Sequence, residues 1–497
     1  MKKILPTLLI TALASACNTT EKPIATLADT ALANKSNKNE TNAIVPIKNI
    51  IMVIADGMGP AYITAYRNFA DDPTTENVER IVFDSHYVGN ATTYPAKISG
   101  YITDSAAAAT ALATGVKTYN DAISVDVNKL PVETVLERAK KLGKKTAVVV
   151  TSQINHATPA SYLTHNEFRN NYNEIADSYI DNGIKADVYL GGGWKYFIRK
   201  DRNLVNEFKA AGFQYIDKYQ DLATLSTDKP VLGLFGKTGL PWALDDENPH
   251  RLSTMTKSAI KQLENYQPKN NLLKNNNGFF MLIEASQVDW AGHGNDIASA
   301  MHEMDDLAKT FVYLEKYVSN HPDTVVILTA DHSTGGLSIG RKTAAENPNI
   351  RSGYLWQPEI LRTMKVSPET FAKHFEKKDL SINEMNELLN FELTQQEFEQ
   401  LQTSKKNAAS TVKAFNNTTK ESSKNKYPPT VYRLIAKTLK NIIDVKTNTG
   451  WGGISSSSTH TGVDVPVYVI GSEKQRFSGA IDNTDIAKQI FMLLENQ

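Results

Sequence analysis

The sequence predicts an α/β protein: a three-layer α/β/α sandwich around a large, mostly parallel sheet, with a long surface insertion. Three observations predict it. Short runs of β-branched and apolar residues recur along the chain, each bounded by Gly or polar residues. Amphipathic helical segments separate several of them, an alternation that argues for parallel strands covered on both faces. Polar residues with chemical potential stand at the ends of these runs, where open α/β sheets gather their sites.

Bulk properties narrow the class. The 497 residues are 41% hydrophobic and 22% charged, as in a globular chain rather than a disordered one. Lys+Arg and Asp+Glu both number 54, so no global field points to nucleic acid or to an anionic membrane surface, and no nucleic-acid-binding module is expected.

The elements follow in order. Residues 1–17, "MKKILPTLLITALASAC", combine a basic start, a short apolar core and small residues before position 17, the pattern of a secretory signal peptide. The run is too short to span a bilayer stably. Cys17 is the single cysteine and directly follows Ala14-Ser15-Ala16, which resembles a bacterial lipoprotein signal. Two readings stand: lipidation of Cys17, or plain cleavage after Ala16. Both imply export, to the periplasm or to an outer-membrane anchor, and neither allows an intrachain disulfide. Residues 18–46, rich in Asn, Thr, Lys, Ala and Ser, read as a flexible tether. The folded domain then covers 47–497.

"IKNIIMVIADGMGP" opens that domain with a buried strand, Ile50 to Ile54, that delivers Asp56 into a Gly-rich turn. In "GYITDSAAAATALATG" the alanine run predicts a slim helix from Ala106 to Thr114, stopped by Gly115. Asp104 and Ser105 stand at its start. Taken alone they read as a helix cap; the sharper reading is a nucleophilic serine at an anion-binding helix end. Further strands are expected at "KKTAVVVTS", "ADVYLGGG", "GFFMLIEAS", "DTVVILTADHS" and "VDVPVYVIG". Gly191-Gly192-Gly193 lacks the spacing of a phosphate loop and reads as a tight strand-to-helix turn. Ala300, Met304, Leu307, Phe311 and Leu314 recur at helical spacing. From about 341 to 446 no buried strand is expected, and the segment reads as a surface insertion, a lid or an oligomer contact.

The carboxylates and histidines at strand ends form a set. Asp289 and His293 are four apart, so one helical turn brings both to one face. Asp331 adjoins His332, His460 precedes a strand, and Glu284 and Asp56 end two others. Mixed carboxylate and imidazole donors suit zinc, whereas the oxygen donors Asp56, Thr158 and Glu284 suit magnesium. Each residue alone has a plain capping explanation. Their shared placement at the strand ends of one sheet is what carries weight.

The motifs "ADGMGP", "TDSAAAATALATG", "QINHATPASY", "EASQVDWAGHGND", "TADHSTGG" and "STHTGVD" resemble, in order, those of bacterial alkaline phosphatases, over about Lys48 to Gln497 outside the insertion. The resemblance implies hydrolysis of small phosphate monoesters at alkaline pH through a phosphoserine on Ser105. It implies two zinc ions and one magnesium ion. Asp289, His293 and His460 would hold one zinc; Asp56, Asp331, His332 and Ser105 the second; Asp56, Thr158 and Glu284 the magnesium. His156 would act on magnesium through a water, and Arg169, in "THNEFRN", would clamp phosphate. A homodimer is implied too. Trp290 and His156 fall at positions that vary in the family and, with the insertion, are similar to its marine, Vibrio-like branch. The absence of a G-x-S-x-G elbow around Ser105 argues against a Ser-His-Asp hydrolase.

Overall fold

The computed structural model describes residues 45–266, 277–340, 355–418, 429–452 and 459–495. The signal peptide, Cys17 and nearly all of the tether lie outside the described residues, as do 341–354 and 419–428 of the insertion.

Fourteen strands are present among the described residues: β1 (Asn49–Ile54), β2 (Tyr87–Thr92), β3 (Lys145–Gln153), β4 (Val188–Gly192), β5 (Gln214–Ile216), β6 (Val231–Leu234), β7 (Phe279–Glu284), β8 (Thr324–Thr329), β9 (Ser333–Thr334), β10 (Ser338–Ile339), β11 (Thr449–Gly450), β12 (His460–Thr461), β13 (Val465–Ile470) and β14 (Gly479–Asp482). A 10-stranded sheet has the order β14-β2-β13-β8-β1-β7-β3-β4-β6-β5. All its pairings are parallel except those of β13, which runs against both β2 and β8. The central strands β1, β3, β7 and β8 are buried at every position, which is why they read as continuous apolar runs rather than as alternating ones.

Helices cover both faces. Ser105–Thr114 packs against Ala157–Leu163 and Asn483–Glu495 on one side, while Pro60–Ala70, Arg251–Asn265 and Ile297–Asn320 pack together on the other. All 10 residues of Ser105–Thr114 are buried, and the methyl side chains of its alanines let neighbouring helices approach closely. The helix begins at Ser105, one residue before the alanine run, because the Asp104 carboxylate accepts from the Ala107 N–H at 3.0 Å. Gly115 closes it with φ +74°, the left-handed cap expected of glycine. Ala300, Met304, Leu307, Phe311 and Leu314 are all buried along Ile297–Asn320.

The segment 341–446 is helical where described, with Glu359–Thr363, Pro368–Lys377, Ile382–Leu389, Gln395–Thr418 and Val431–Thr447. These helices bury Phe371, Phe375, Leu389, Ile435 and Leu439 and are thus joined to the main core rather than laid on it. Polar contacts tie them down as well. Arg362 donates to the carbonyls of Asn68 (2.6 Å) and Phe69 (2.7 Å) at the end of Pro60–Ala70, and Lys440 Nζ donates to Gly294 O at 2.5 Å.

Candidate active site

Four adjacent strands bring the site together. In the order β8-β1-β7-β3 the register aligns Thr329 with Ile54, Ile54 with Glu284, and Glu284 with Val150. Asp331 and His332 follow β8, Asp56 follows β1, Glu284 ends β7, and Thr151–Gln153 end β3, so all lie on one edge of the sheet. β13 runs the other way, so its start lies at this same edge. That is how His460, on β12 and paired with Thr334 of β9, reaches the group from the far end of the chain.

Three clusters of ligand-type atoms result, each within 4.8 Å: Asp289, His293 and His460; Asp56, Asp331 and His332; and Asp56, His156 and Glu284. Asp289 and His293 share one face of the helix Gln287–His293, as their spacing predicts, with His293 Nε2 3.5 Å from Asp289 Oδ1. His460 Nε2 lies 3.6 Å from the same oxygen and 3.1 Å from His293 Nε2. Gly57, φ +78°, lets the chain after β1 pass this helix; a Cβ there would fall 2.7 Å from Asp289 Cα. Thr158 is fully buried, and its hydroxyl bears on Glu284.

Hydrogen bonds decide which way the imidazoles point their lone pairs. His460 Nδ1 donates to Thr103 O at 2.8 Å, leaving Nε2 as an acceptor. Thr334 Oγ1 donates its single proton to Asp289 Oδ1 at 2.5 Å, so its oxygen accepts from His332 Nδ1 at 3.1 Å. His332 Nε2 is therefore unprotonated. It faces Asp331 Oδ2 at 3.3 Å, Asp56 Oδ1 at 3.4 Å and Ser105 Oγ, whose hydroxyl donates to it at 3.1 Å. Gly57 N–H and His332 N–H hold Asp331 by Oδ1 and leave Oδ2 turned inward. Both oxygens of Asp56, Oδ2 of Asp331 and Oε1 of Glu284 are buried with no hydrogen-bond partner.

The electrostatics follow. Burial, then the carboxylates of Asp331, Asp289 and Glu284, pushes Asp56 far up; burial, then Asp289, does the same to Asp331. Burial raises Glu284 to about 7. Burial and the neighbouring His460 and His293 push His332 well down. Asp289 departs from this pattern. Burial would raise it, but His293, His460 and the Thr334 hydroxyl hold it below its ordinary value. Carboxylates that burial and mutual repulsion push toward the protonated form are what a divalent cation relieves, and the carboxylate-imidazole donors fit one.

Arg169 lies at the rim. Its Nη1 donates to Asp104 Oδ2 at 2.8 Å, and Nη2 is 3.5 Å from His156 Nε2. Asp104 thus caps the Ser105 helix and aims the guanidinium. Burial would raise its carboxyl, but Arg169 and the Ala107 N–H hold it below its ordinary value. The Trp290 ring meets the His156 ring edge-on, with centroids 5.9 Å apart, and rests on Gly239.

Each site residue predicted from the sequence is at this edge. Sequence reasoning missed Thr334, which joins two clusters, and the Asp104–Arg169 pair. Thr334 sits inside "TADHSTGG", but a hydroxyl that works by relaying hydrogen bonds leaves no periodic trace.

A buried serine hydroxyl at a helix N-terminus, set among clustered side chains of the kind that could hold metal ions, is the arrangement expected of a metal-dependent hydrolase. Residues 47–496 match the Alkaline phosphatase family model. Alkaline phosphatase 3 of Bacillus subtilis is 40% identical, over 93% of this chain and 90% of its own length. Alkaline phosphatase 4 of the same organism is also 40% identical, over 94% and 91%. The crystal structure of a cold-active alkaline phosphatase from a psychrophilic Shewanella superposes with a TM-score of 0.77 at 42% identity, covering 90% of this chain and 99% of that one. The chain belongs to the alkaline phosphatase family: it is a metal-binding phosphomonoesterase.

Proposed function

We propose that the chain hydrolyses phosphate monoesters at alkaline pH through a phosphoserine on Ser105, with two zinc ions, one magnesium ion and Arg169. The observation that carries this reading is the placement of Ser105. Its Oγ stands at the N-terminus of a ten-residue helix, 3.1 Å from His332 Nε2, where backbone N–H groups favour negative charge. Asp289, His293 and His460 would hold one zinc; Asp56, Asp331, His332 and Ser105 the other; Asp56, Thr158 and Glu284 the magnesium, with His156 beside them. Bound there, the cations supply Lewis-acid stabilisation of the attacking and leaving oxygens of an in-line displacement.

The chain's own groups do the rest. Ser105 gives up its hydroxyl proton to solvent as Oγ attacks phosphorus and the ester P–O bond breaks, and the alkoxide departs to take a proton from water. A water then attacks the phosphoserine, freeing inorganic phosphate and restoring Ser105. Arg169, already oriented by Asp104, offers its fork to two non-bridging oxygens of the phosphoryl group. This plan needs little contact with the leaving group, so broad monoester specificity is expected.

Around this core we further propose export by the signal at 1–17, with Cys17 as a lipid anchor to the outer membrane or cleavage after Ala16 releasing a periplasmic protein. We also propose a homodimer in which the 341–446 helices contact the neighbouring subunit; sedimentation of a chain lacking them checks it.

The test is hydrolysis of a chromogenic phosphate monoester at alkaline pH beside a diester and a sulfate ester. It is repeated after chelation and after return of zinc with magnesium. Monoester turnover that vanishes on chelation and returns with both metals is expected. Turnover of only the diester or the sulfate ester would overturn the reading.

A further inference from the structure

Behind the helix that carries Asp289 and His293 lies a second buried polar cluster. Arg251 is wholly buried at the start of Arg251–Asn265. Its Nη2 donates to Gln287 Oε1 at 2.7 Å and to both oxygens of Glu303 at 2.7 and 2.9 Å, while Nη1 donates to Asp306 Oδ2 at 3.1 Å. Glu303 and Asp306 sit on Ile297–Asn320, and Gln287 is the first residue of Gln287–His293. Asp306 also accepts from the Leu252 and Ser253 N–H groups, locking the guanidinium to the helix start.

The same cluster reaches the wall of the site by a second route. Gln287 Nε2 donates to Leu240 O at 2.9 Å, and Ala243 N–H donates to Glu303 Oε1 at 2.9 Å. Leu240 N–H in turn bonds Thr151 O at the end of β3, and the neighbouring Gly239 lies under the Trp290 indole, where a Cβ would fall 2.3 Å from the ring. One guanidinium thus connects the first turn of the ligand helix, the loop beneath Trp290 and the carboxyl end of β3.

We propose that Arg251 is a positioning residue for the Asp289/His293/His460 metal group: through Gln287 and Glu303 it sets the pitch of the ligand helix and the loop beneath it. The inference rests on the reading of that trio as a zinc site. Helix Gln287–His293 has only seven residues, too few to hold its own orientation without external bonds. Gln287 and Asp289 are two apart, so a shift of the first turn moves the carboxylate directly. Lys at position 251 keeps the charge but presents its donors from one point, not from the planar fork whose two terminal nitrogens meet Gln287, Glu303 and Asp306.

The experiment measures zinc affinity of the full chain by chelator competition, for the wild type, Arg251→Lys, Gln287→Met and His293→Ala, together with the melting temperature of each metal-free protein. His293→Ala identifies the class of zinc that belongs to the trio. Arg251→Lys is expected to weaken that class about tenfold, the scale seen for outer contacts of metal ligands, and to leave the other class unchanged. If Arg251→Lys does not fold, Gln287→Met carries the test, since it keeps every ion pair and is expected to weaken the same class several-fold. Unchanged zinc affinity with a lowered melting temperature would reduce Arg251 to a structural role and overturn the inference. If His293→Ala loses no zinc, the zinc reading itself fails and the inference falls with it.

Discussion

Two buried acidic clusters lie within the same fold, and their contrast is instructive. Around Arg251, two carboxylates and an amide close on one guanidinium whose two terminal nitrogens are both bonded. Around Asp56, carboxylates and the lone pair of His332 face one another, and the nearest guanidinium, Arg169, is engaged by Asp104. Both clusters are as buried as the apolar core. Burying unpaired charge is costly, so breaking a cluster closed by its own cation destabilises the fold, whereas one left open suits a cation from solution. Removing a group should therefore hurt stability in the first and chemistry in the second.

The largest expected effect is on chemistry. Ser105→Ala should lower monoester turnover about a thousandfold or more while leaving the melting temperature near that of the wild type. Equal turnover would remove Ser105 from the reaction. Arg251→Met should do the reverse first, costing about 3–5 kcal/mol of stability because Glu303 and Asp306 are left buried without a cation. Chemical denaturation reads it, and a loss below 1 kcal/mol would show that the cluster is not closed as described.

Arg169→Ala should lower kcat/KM by about 2–3 kcal/mol in transition-state terms, the scale of a charge-assisted bidentate pair. An unchanged kcat/KM would break the assignment of Arg169 to phosphate. Asp56→Asn sharpens the contrast further. It should stabilise the metal-free protein by about 1 kcal/mol, since it relieves repulsion among carboxylates, while reducing the gain in melting temperature on adding metal to the part that Asp289, His293 and His460 supply. A fall in metal-free stability would mean that Asp56 has a partner of its own.

The smallest effect is a pH slope. Burial raises the Asp306 carboxyl from 3.8 to about 7 in the folded protein. Between those values the folded state holds a proton that the unfolded chain has released, so stability from this group is greatest at low pH and is lost as pH rises through about 7. Asp306→Asn removes that titration. Its melting temperature relative to the wild type should climb from mildly acidic to mildly alkaline pH, and a flat difference would contradict the shift.

The family's motifs were legible because they are local. "TDSAAAATALATG" carries its own helix, N-cap and stop, and "QVDWAGH" places a carboxylate and an imidazole one turn apart whatever surrounds it. The parallel strands were legible because burial on both faces makes each an unbroken apolar run. The insertion was read less well. Its polar composition suggested a surface layer, yet Phe371, Phe375 and Leu439 are buried among helices that join the main core. Amphipathic faces announce that they will be covered but not by what.

The sequence by itself determined six of the sheet's ten strands, the Ser105 helix and the kinds of polar side chain at the strand ends, since these depend on neighbours within a few residues; the short strands β2, β5, β6 and β14 left no such local mark. Tertiary structure alone decided that Asp104 would hold Arg169, that Thr334 would set the protonation of His332, and that Arg251 would brace a helix 36 residues further along the chain. Such pairs exist only once the register of β8, β1, β7 and β3 is formed and an antiparallel β13 has returned His460 to the same edge. Composition carries no record of which distant donors will meet, because a hydrogen bond is chosen by the geometry at its two ends and not by the chain between them.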